Sequence, residues 1–141
     1  MNERTGIQSP QGQAKKLIFI VDDEPLILEL AAAILEPLGH VVRTFRNAEL
    51  ALEAYSSNPG APDLLISDFA MPGMDGLKLI AECRRLKPGQ KALVLSGTVD
   101  ENGLKGNEGS PDAFLAKPFQ PKQLVLAVQS LIGPVPAKSR R

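Results

Sequence analysis

Four short stretches of the chain carry groups able to do chemistry. Asp22, Asp23 and Glu24 stand in a row directly after the apolar run LIFIV (17–21). Asp68 follows DLLIS (63–67) and leads into AMPGMDG. Ser96 closes KALVLS (91–96), and Lys117 follows AFLA (113–116). Adjacent carboxylates repel, and each one buried without a partner is driven to take up a proton. Consecutive acids at the end of a run built for burial therefore require positive charge. One lysine does not neutralise several aspartates, whereas a divalent cation relieves their repulsion.

The donor types narrow that cation. Carboxylate oxygens with no His or Cys nearby suit Mg²⁺, which takes one or two carboxylates and keeps waters for a phosphate to displace. The cluster then suits phosphoryl transfer. A carboxylate attacks phosphorus while cation and lysine stabilise charge on the equatorial oxygens, leaving an aspartyl phosphate. Asp68 is the better nucleophile, because the Pro-Gly turn after it can hold the backbone open around an incoming phosphoryl group. Asp22 and Asp23 head a helical segment and are better placed to hold metal. Ser96 could donate to the phosphoryl group, which carries about −1.5 to −2 charge at neutral pH.

These residues need a frame. The apolar runs LIFIV, VVRTF (41–45), DLLIS, KALVLS and AFLA alternate with helical patterns that begin near Pro25, Asn47, Asp75 and Gln120. Pro25 and Pro121 suit a first helical turn, Asn47 and Asp75 are good N-caps, and Gly39 and Gly133 sit where helices should end. Leu79, Ile80, Cys83 and Leu86 share one helical face, as do Leu124, Val125, Val128 and Leu131. Alternating strands and helices predict a single doubly wound α/β domain with a parallel sheet. LIFIV and ALVL read as central strands; VVRTF, with Arg43 and Thr44, reads as an edge. In such sheets ligands bind outside the carboxyl ends of the strands, where the winding reverses. With strand order 2-1-3-4-5 the first and third strands are neighbours, and Asp22, Asp23 and Asp68 converge there with Ser96 and Lys117 on the same edge.

One stretch breaks the pattern. GTVDENGLKGNEGSPD, between Ser96 and Ala113, places Gly103, Gly106 and Gly109 where a fourth helix should lie. Each interior glycine costs a helix about 1 kcal/mol relative to alanine. A short turn or mobile loop is expected over 99–111.

Composition sets the class. The chain has 141 residues, 43% apolar and 23% charged, and a formal net charge of zero. That length buries a real core, and the neutral balance gives no electrostatic case for nucleic acid or an anionic membrane. Cys83 is the one cysteine, so there is no internal disulfide and the chain fits a reducing cytoplasm. No signal-peptide core and no run of membrane-spanning length occurs. Residues 1–15 are expected to be a flexible tail, 16–133 the folded domain, and 134–141 a basic tail. Cys83 reads as a small core residue, and His40 as a surface residue at the entrance to the second strand.

IVDDEP, LLISDFAMPGMDG, ALVLSG and AFLAKPF, in this order and spacing, resemble the receiver domain of two-component response regulators, of the single-domain chemotaxis-regulator type. The resemblance runs from about Lys16 to Gly133. It implies a flavodoxin-like fold of order 2-1-3-4-5 and a phosphoacceptor signalling switch rather than an enzyme acting on other molecules. Asp68 matches the phosphoacceptor, and Asp22 and Asp23 the acidic pair that holds Mg²⁺ together with Asp68 and the backbone carbonyl of Ala70. Ser96 and Phe114 match the switch pair, Lys117 the lysine that contacts the phosphoryl group, and Pro118 a proline often preceded by a cis bond. The implied partners are a sensor histidine kinase or a histidine phosphotransfer protein, and a downstream protein. That downstream partner would read the surface of the fourth helix, the fifth strand and the last helix. A homodimer stays open.

Three features depart from the family pattern. Phe114 lacks a tyrosine hydroxyl, Ala70 offers no polar side chain beside the site, and the fourth helix is weakened by its glycines. No effector domain follows Gly133, so output is expected through a protein contact or onward phosphoryl transfer. Two other functions compete. A Mg²⁺-dependent phosphohydrolase also uses an aspartate nucleophile, but it wants a second acid two residues on, where this chain has Ala70. A receiver-like module working without phosphorylation is the other.

Overall fold

The computed structural model describes residues 15–57, 60–97 and 110–134. The chain runs β1 (Leu17–Val21), α1 (Pro25–Leu35), a 3₁₀ turn (Glu36–Leu38), β2 (Val41–Phe45), α2 (Ala48–Ser56), β3 (Leu64–Asp68) and α3 (Gly76–Leu86). It continues with β4 (Ala92–Ser96), β5 (Ala113–Ala116) and α4 (Pro121–Ile132). All strand pairs are parallel, in the order β2-β1-β3-β4-β5.

Side chains of successive strand residues point to opposite faces, so each strand feeds two cores. Phe19, Val21, Leu65, Ala92 and Val94 face α2 and α3, packing on Ala51, Tyr55, Leu79, Ile80 and Cys83. Ile18, Ile20, Leu64, Ile66, Leu93 and Leu95 face α1 and α4, packing on Leu28, Ala31, Leu35, Leu124 and Val128. Two-sided burial is why LIFIV and ALVL are continuous apolar runs. VVRTF borders a single neighbour, and most of its residues are exposed.

Local chemistry starts and stops the helices. Pro25 and Pro121 open α1 and α4. The Asn47 and Asp75 side chains cap α2 and α3 by accepting the Leu50 and Lys78 amides, each at 2.8 Å. Gly39 ends the turn after α1 at φ 103°, a left-handed conformation that suits glycine.

Two expectations are corrected. Leu86, the last residue of α3, is 60% exposed, while Leu79, Ile80 and Cys83 are buried. His40 is buried, not at the surface, and among the described residues neither ring nitrogen has a hydrogen-bond partner. The expected N-terminal tail up to residue 14, residues 98–109 of the glycine-rich stretch with its weakened helix, and 135–141 of the basic tail lie outside the described residues. Among the described residues no helix is long and apolar enough to cross a membrane.

Candidate functional site

Strand register brings the predicted residues to one edge. Val21 pairs with Ser67, so Asp22 stands level with Asp68. Asp68 pairs with Leu95, placing Ser96 one residue further along the next strand. Ser96 pairs with Ala116, and Lys117 follows immediately. Backbone bonds hold these ends in place: the Asp22 amide donates to Phe45 O at 3.1 Å, the Phe69 amide to Leu95 O at 2.9 Å, and the Lys117 amide to Ser96 O at 2.9 Å. The peptide bond between Lys117 and Pro118 is cis.

Lys117 Nζ is the hub. It lies 3.1 Å from Asp22 Oδ2, 3.1 Å from Asp68 Oδ1 and 3.8 Å from Glu24 Oε1. Asp22 is fully buried, and its Oδ1 accepts the Glu24 amide at 2.9 Å. Both Asp22 oxygens therefore have partners. Asp23 is exposed to solvent. One carboxylate oxygen each from Asp22, Asp23 and Asp68 falls within 4.8 Å of the others, a spacing that could hold a metal ion. Three hard oxygens without His or Cys among them fit Mg²⁺.

Electrostatics agree with that fit. Burial pushes the Asp22 carboxyl above its ordinary range, and the neighbouring Asp68 adds to it, against the Glu24 amide and Lys117. Asp68 is also raised, first by burial and further by Asp23, with Lys117 opposing. Burial alone would lower the Lys117 ammonium, but Asp68 and Asp22 outweigh it and raise it. One lysine thus leaves the two carboxyls short of full compensation.

The remaining expected residues sit around this hub. Ser96 is buried at the end of β4. Phe114 is half-buried, pairs with Val94 and packs against the α2–α3 core. Ala70 is exposed, in the loop after β3. That loop turns through Pro72 and Gly73, whose φ of 81° is the left-handed value a Pro-Gly turn demands. It closes where the Gly76 amide donates to Phe69 O at 2.9 Å.

Glu24, grouped with Asp22 and Asp23 in the sequence but given no role of its own, adds a third carboxylate to the lysine, and two further residues were missed. Ser67 and Gly76 lie against the backbone of Asp68; a glycine in the first turn of a helix, directly after an Asp cap, was the available sign.

Fold and site together define a flavodoxin-like domain with an acidic centre at its switch point. Residues 18–129 match the family model described as the response regulator receiver domain, and the chain belongs to that family of two-component signalling regulators. It is 32% identical to the transcriptional regulatory protein TcrA of Mycobacterium tuberculosis, over 84% of this chain and 47% of that protein. It is 29% identical to the transcriptional regulatory protein ResD of Bacillus subtilis, over 82% of this chain and 47% of that protein. The chain thus spans about half the length of these curated relatives. Among solved structures, the chemotaxis protein CheY4 of Vibrio cholerae superimposes with a TM-score of 0.76 at 26% identity, covering 84% of this chain and 99% of that one. The signal receiver domain of an HD domain-containing protein from Pseudomonas fluorescens gives 0.75 at 30% identity, covering 84% and 94%.

Proposed function

We propose that this domain, residues 16–133, is a phosphoacceptor switch of a two-component or phosphorelay system that takes a phosphoryl group onto Asp68. The observation that carries the reading is Lys117 Nζ at 3.1 Å from both Asp68 and Asp22, beside an acid cluster able to hold a cation. Asp22, Asp23, Asp68 and the Ala70 carbonyl would hold Mg²⁺, which when bound stabilises charge on the phosphoryl oxygens.

This chain's own groups do the rest. The Asp68 carboxylate attacks phosphorus, forming an O–P bond as the P–N bond of a partner's phosphohistidine breaks and its electron pair returns to the imidazole. Lys117 exchanges a carboxylate for a phosphoryl oxygen, and Ser96 donates to another. Phe114, half-buried beside Val94, repacks inward by shape alone, having no hydroxyl to bond. The donor is a sensor histidine kinase or a histidine phosphotransfer protein, and the altered surface is read by a downstream protein. Apart from making and losing its own phosphate, the domain is a regulator and not an enzyme. The neutral net charge supports a protein partner over nucleic acid or membrane, and the lone buried cysteine supports a cytoplasmic setting.

Intact-protein mass spectrometry after incubation with acetyl phosphate tests this. One labile phosphoryl group, gained only with Mg²⁺ and absent from Asp68→Asn, is the expected result. Mg²⁺ binding without any adduct would favour a phosphorylation-independent module. Steady release of phosphate from many donors would favour a hydrolase.

A further inference from the structure

We propose that Ser67 and Gly76 form a latch on the backbone of Asp68, making them positioning residues for the acceptor carboxylate and for the Ala70 carbonyl. The inference rests on the phosphoacceptor reading for its activity arm only.

The latch has three contacts. Ser67 Oγ, fully buried, donates to the carbonyl oxygen of Asp68 at 2.9 Å. The Gly76 amide donates to Phe69 O at 2.9 Å and closes the loop that contains Ala70. Gly76 itself seats the start of α3 against the end of β3. A Cβ added there would stand well inside 3.0 Å of the Asp68 carbonyl oxygen, 3.2 Å from its carbonyl carbon and 3.1 Å from Ser67 Oγ.

No side chain fits that gap. The obstacle is backbone carbonyl, which cannot swing aside as the tip of a flexible side chain would. The glycine is not explained by helix formation, for which it is among the poorest residues. Any larger residue at 76 must lift the helix start or push the Asp68 carbonyl by on the order of 1 Å to restore ordinary van der Waals separation. Moving that carbonyl rotates the peptide unit between Asp68 and Phe69, and with it both the carboxylate and the loop carrying Ala70. A misplacement of about 1 Å at a reacting group costs up to about 100-fold in rate.

The test compares Gly76→Ala, Ser67→Ala and Gly89→Ala; Gly89 has open space around its Cα and controls for adding a methyl group. Mg²⁺ affinity is measured by calorimetry, and the Phe69 and Gly76 amide shifts by NMR in chelator. Acceptance from acetyl phosphate is followed by mass spectrometry over a range of donor concentrations. Each is read on protein shown to be folded by circular dichroism. For Gly76→Ala the latch predicts moved amide shifts in chelator, at least tenfold weaker Mg²⁺ binding, and a maximal acceptance rate about 10- to 100-fold lower with an unchanged donor KM. Ser67→Ala should show the same pattern at about threefold or more, and Gly89→Ala none of it.

Wild-type Mg²⁺ affinity and acceptance rate in folded Gly76→Ala would overturn the latch. Should Gly76→Ala fail to fold, unchanged amide shifts and Mg²⁺ affinity in Ser67→Ala would overturn it equally. If the wild-type protein accepts no phosphoryl group, the functional reading fails instead, and amide shifts and Mg²⁺ affinity still decide the latch.

Discussion

Lys117 Nζ lies 3.1 Å from Asp68 Oδ1 across the carboxyl edge of the sheet, with both side chains largely withdrawn from solvent. The two form an ion pair, and under the proposed function Lys117 would exchange this carboxylate for a phosphoryl oxygen. Lys117→Ala leaves Asp22 and Asp68 without their cation. Removing one partner of a buried polar pair costs about 1–3 kcal/mol, so the metal-free variant should unfold at lower urea concentration. Its Mg²⁺ affinity should rise, since a competing positive charge is gone. Urea titration in chelator and calorimetry with Mg²⁺ check both, and weaker Mg²⁺ binding would contradict the arrangement.

Asp68→Asn should be more stable than wild type at neutral pH in chelator. The Asp68 carboxyl is raised above its ordinary range mainly by burial, so the metal-free fold holds its proton more tightly than the unfolded chain does. By linkage, this contribution favours the fold at low pH and is lost as pH rises through the raised folded value. A neutral isostere removes the penalty. The gain should disappear at acid pH, which thermal melts across pH would reveal.

Mg²⁺ should stabilise the wild-type protein by mass action, about 2.7 kcal/mol at 100 times its dissociation constant. The effect should shrink toward acid pH, because protons compete for the raised Asp22 and Asp68 carboxyls. Melting curves with Mg²⁺ and with chelator measure it. A Mg²⁺ effect independent of pH, or preserved in Asp68→Asn, would argue against the cluster as the site.

The parts of the site legible in the sequence are those that strand order alone dictates. Asp22, Asp68, Ser96 and Lys117 each stand at a strand's carboxyl end, and parallel winding has to bring such ends to one edge. Asn47 and Asp75 were equally legible, because a cap bonds to its own neighbours in sequence. Illegible were the features that depend on what lies across space. Periodicity marked the face of Leu86 but not that burial stops before the helix's last residue. A lone His40 carries no periodic signal, so its burial beside the turn at Gly39 had no local sign. Gly76 looked like a poor helix residue, and only the approach of the Asp68 carbonyl accounts for it.

Arg84 and Asp112 form a clamp at the opposite edge of the sheet. The Arg84 guanidinium reaches Gln90 O, Ser110 O and Asp112 Oδ2, and the same Asp112 oxygen accepts the Ala92 amide at 2.8 Å. The ion pair itself is partly exposed and adds little. The larger effect belongs to Ala92, fully buried, whose amide loses its side-chain acceptor in Asp112→Ala. A cost of about 1–3 kcal/mol is expected in urea unfolding, with Asp112→Asn, which keeps a carbonyl acceptor, losing less. Equal losses would place the energy in the ion pair instead.

His40 should make the fold acid-sensitive. It is 5% exposed, and among the described residues neither imidazole nitrogen has a partner, so a proton added there is buried uncompensated. Burial lowers its pKa below the usual 6.5, and the nearby Lys16 lowers it further. The unfolded chain therefore binds this proton before the folded one does. Stability from the neutral ring is complete above about pH 6.5 and declines as pH falls below that value toward the lowered folded pKa, with a slope of at most about 1.4 kcal/mol per pH unit for one proton. The raised aspartates tilt the curve the other way at lower pH, so the informative quantity is the difference between wild type and His40→Leu. Urea unfolding between about pH 5 and 8 should show that difference constant at the alkaline end and growing in favour of the variant toward acid. Parallel curves throughout would mean that the imidazole takes up its proton as readily inside the fold as outside it.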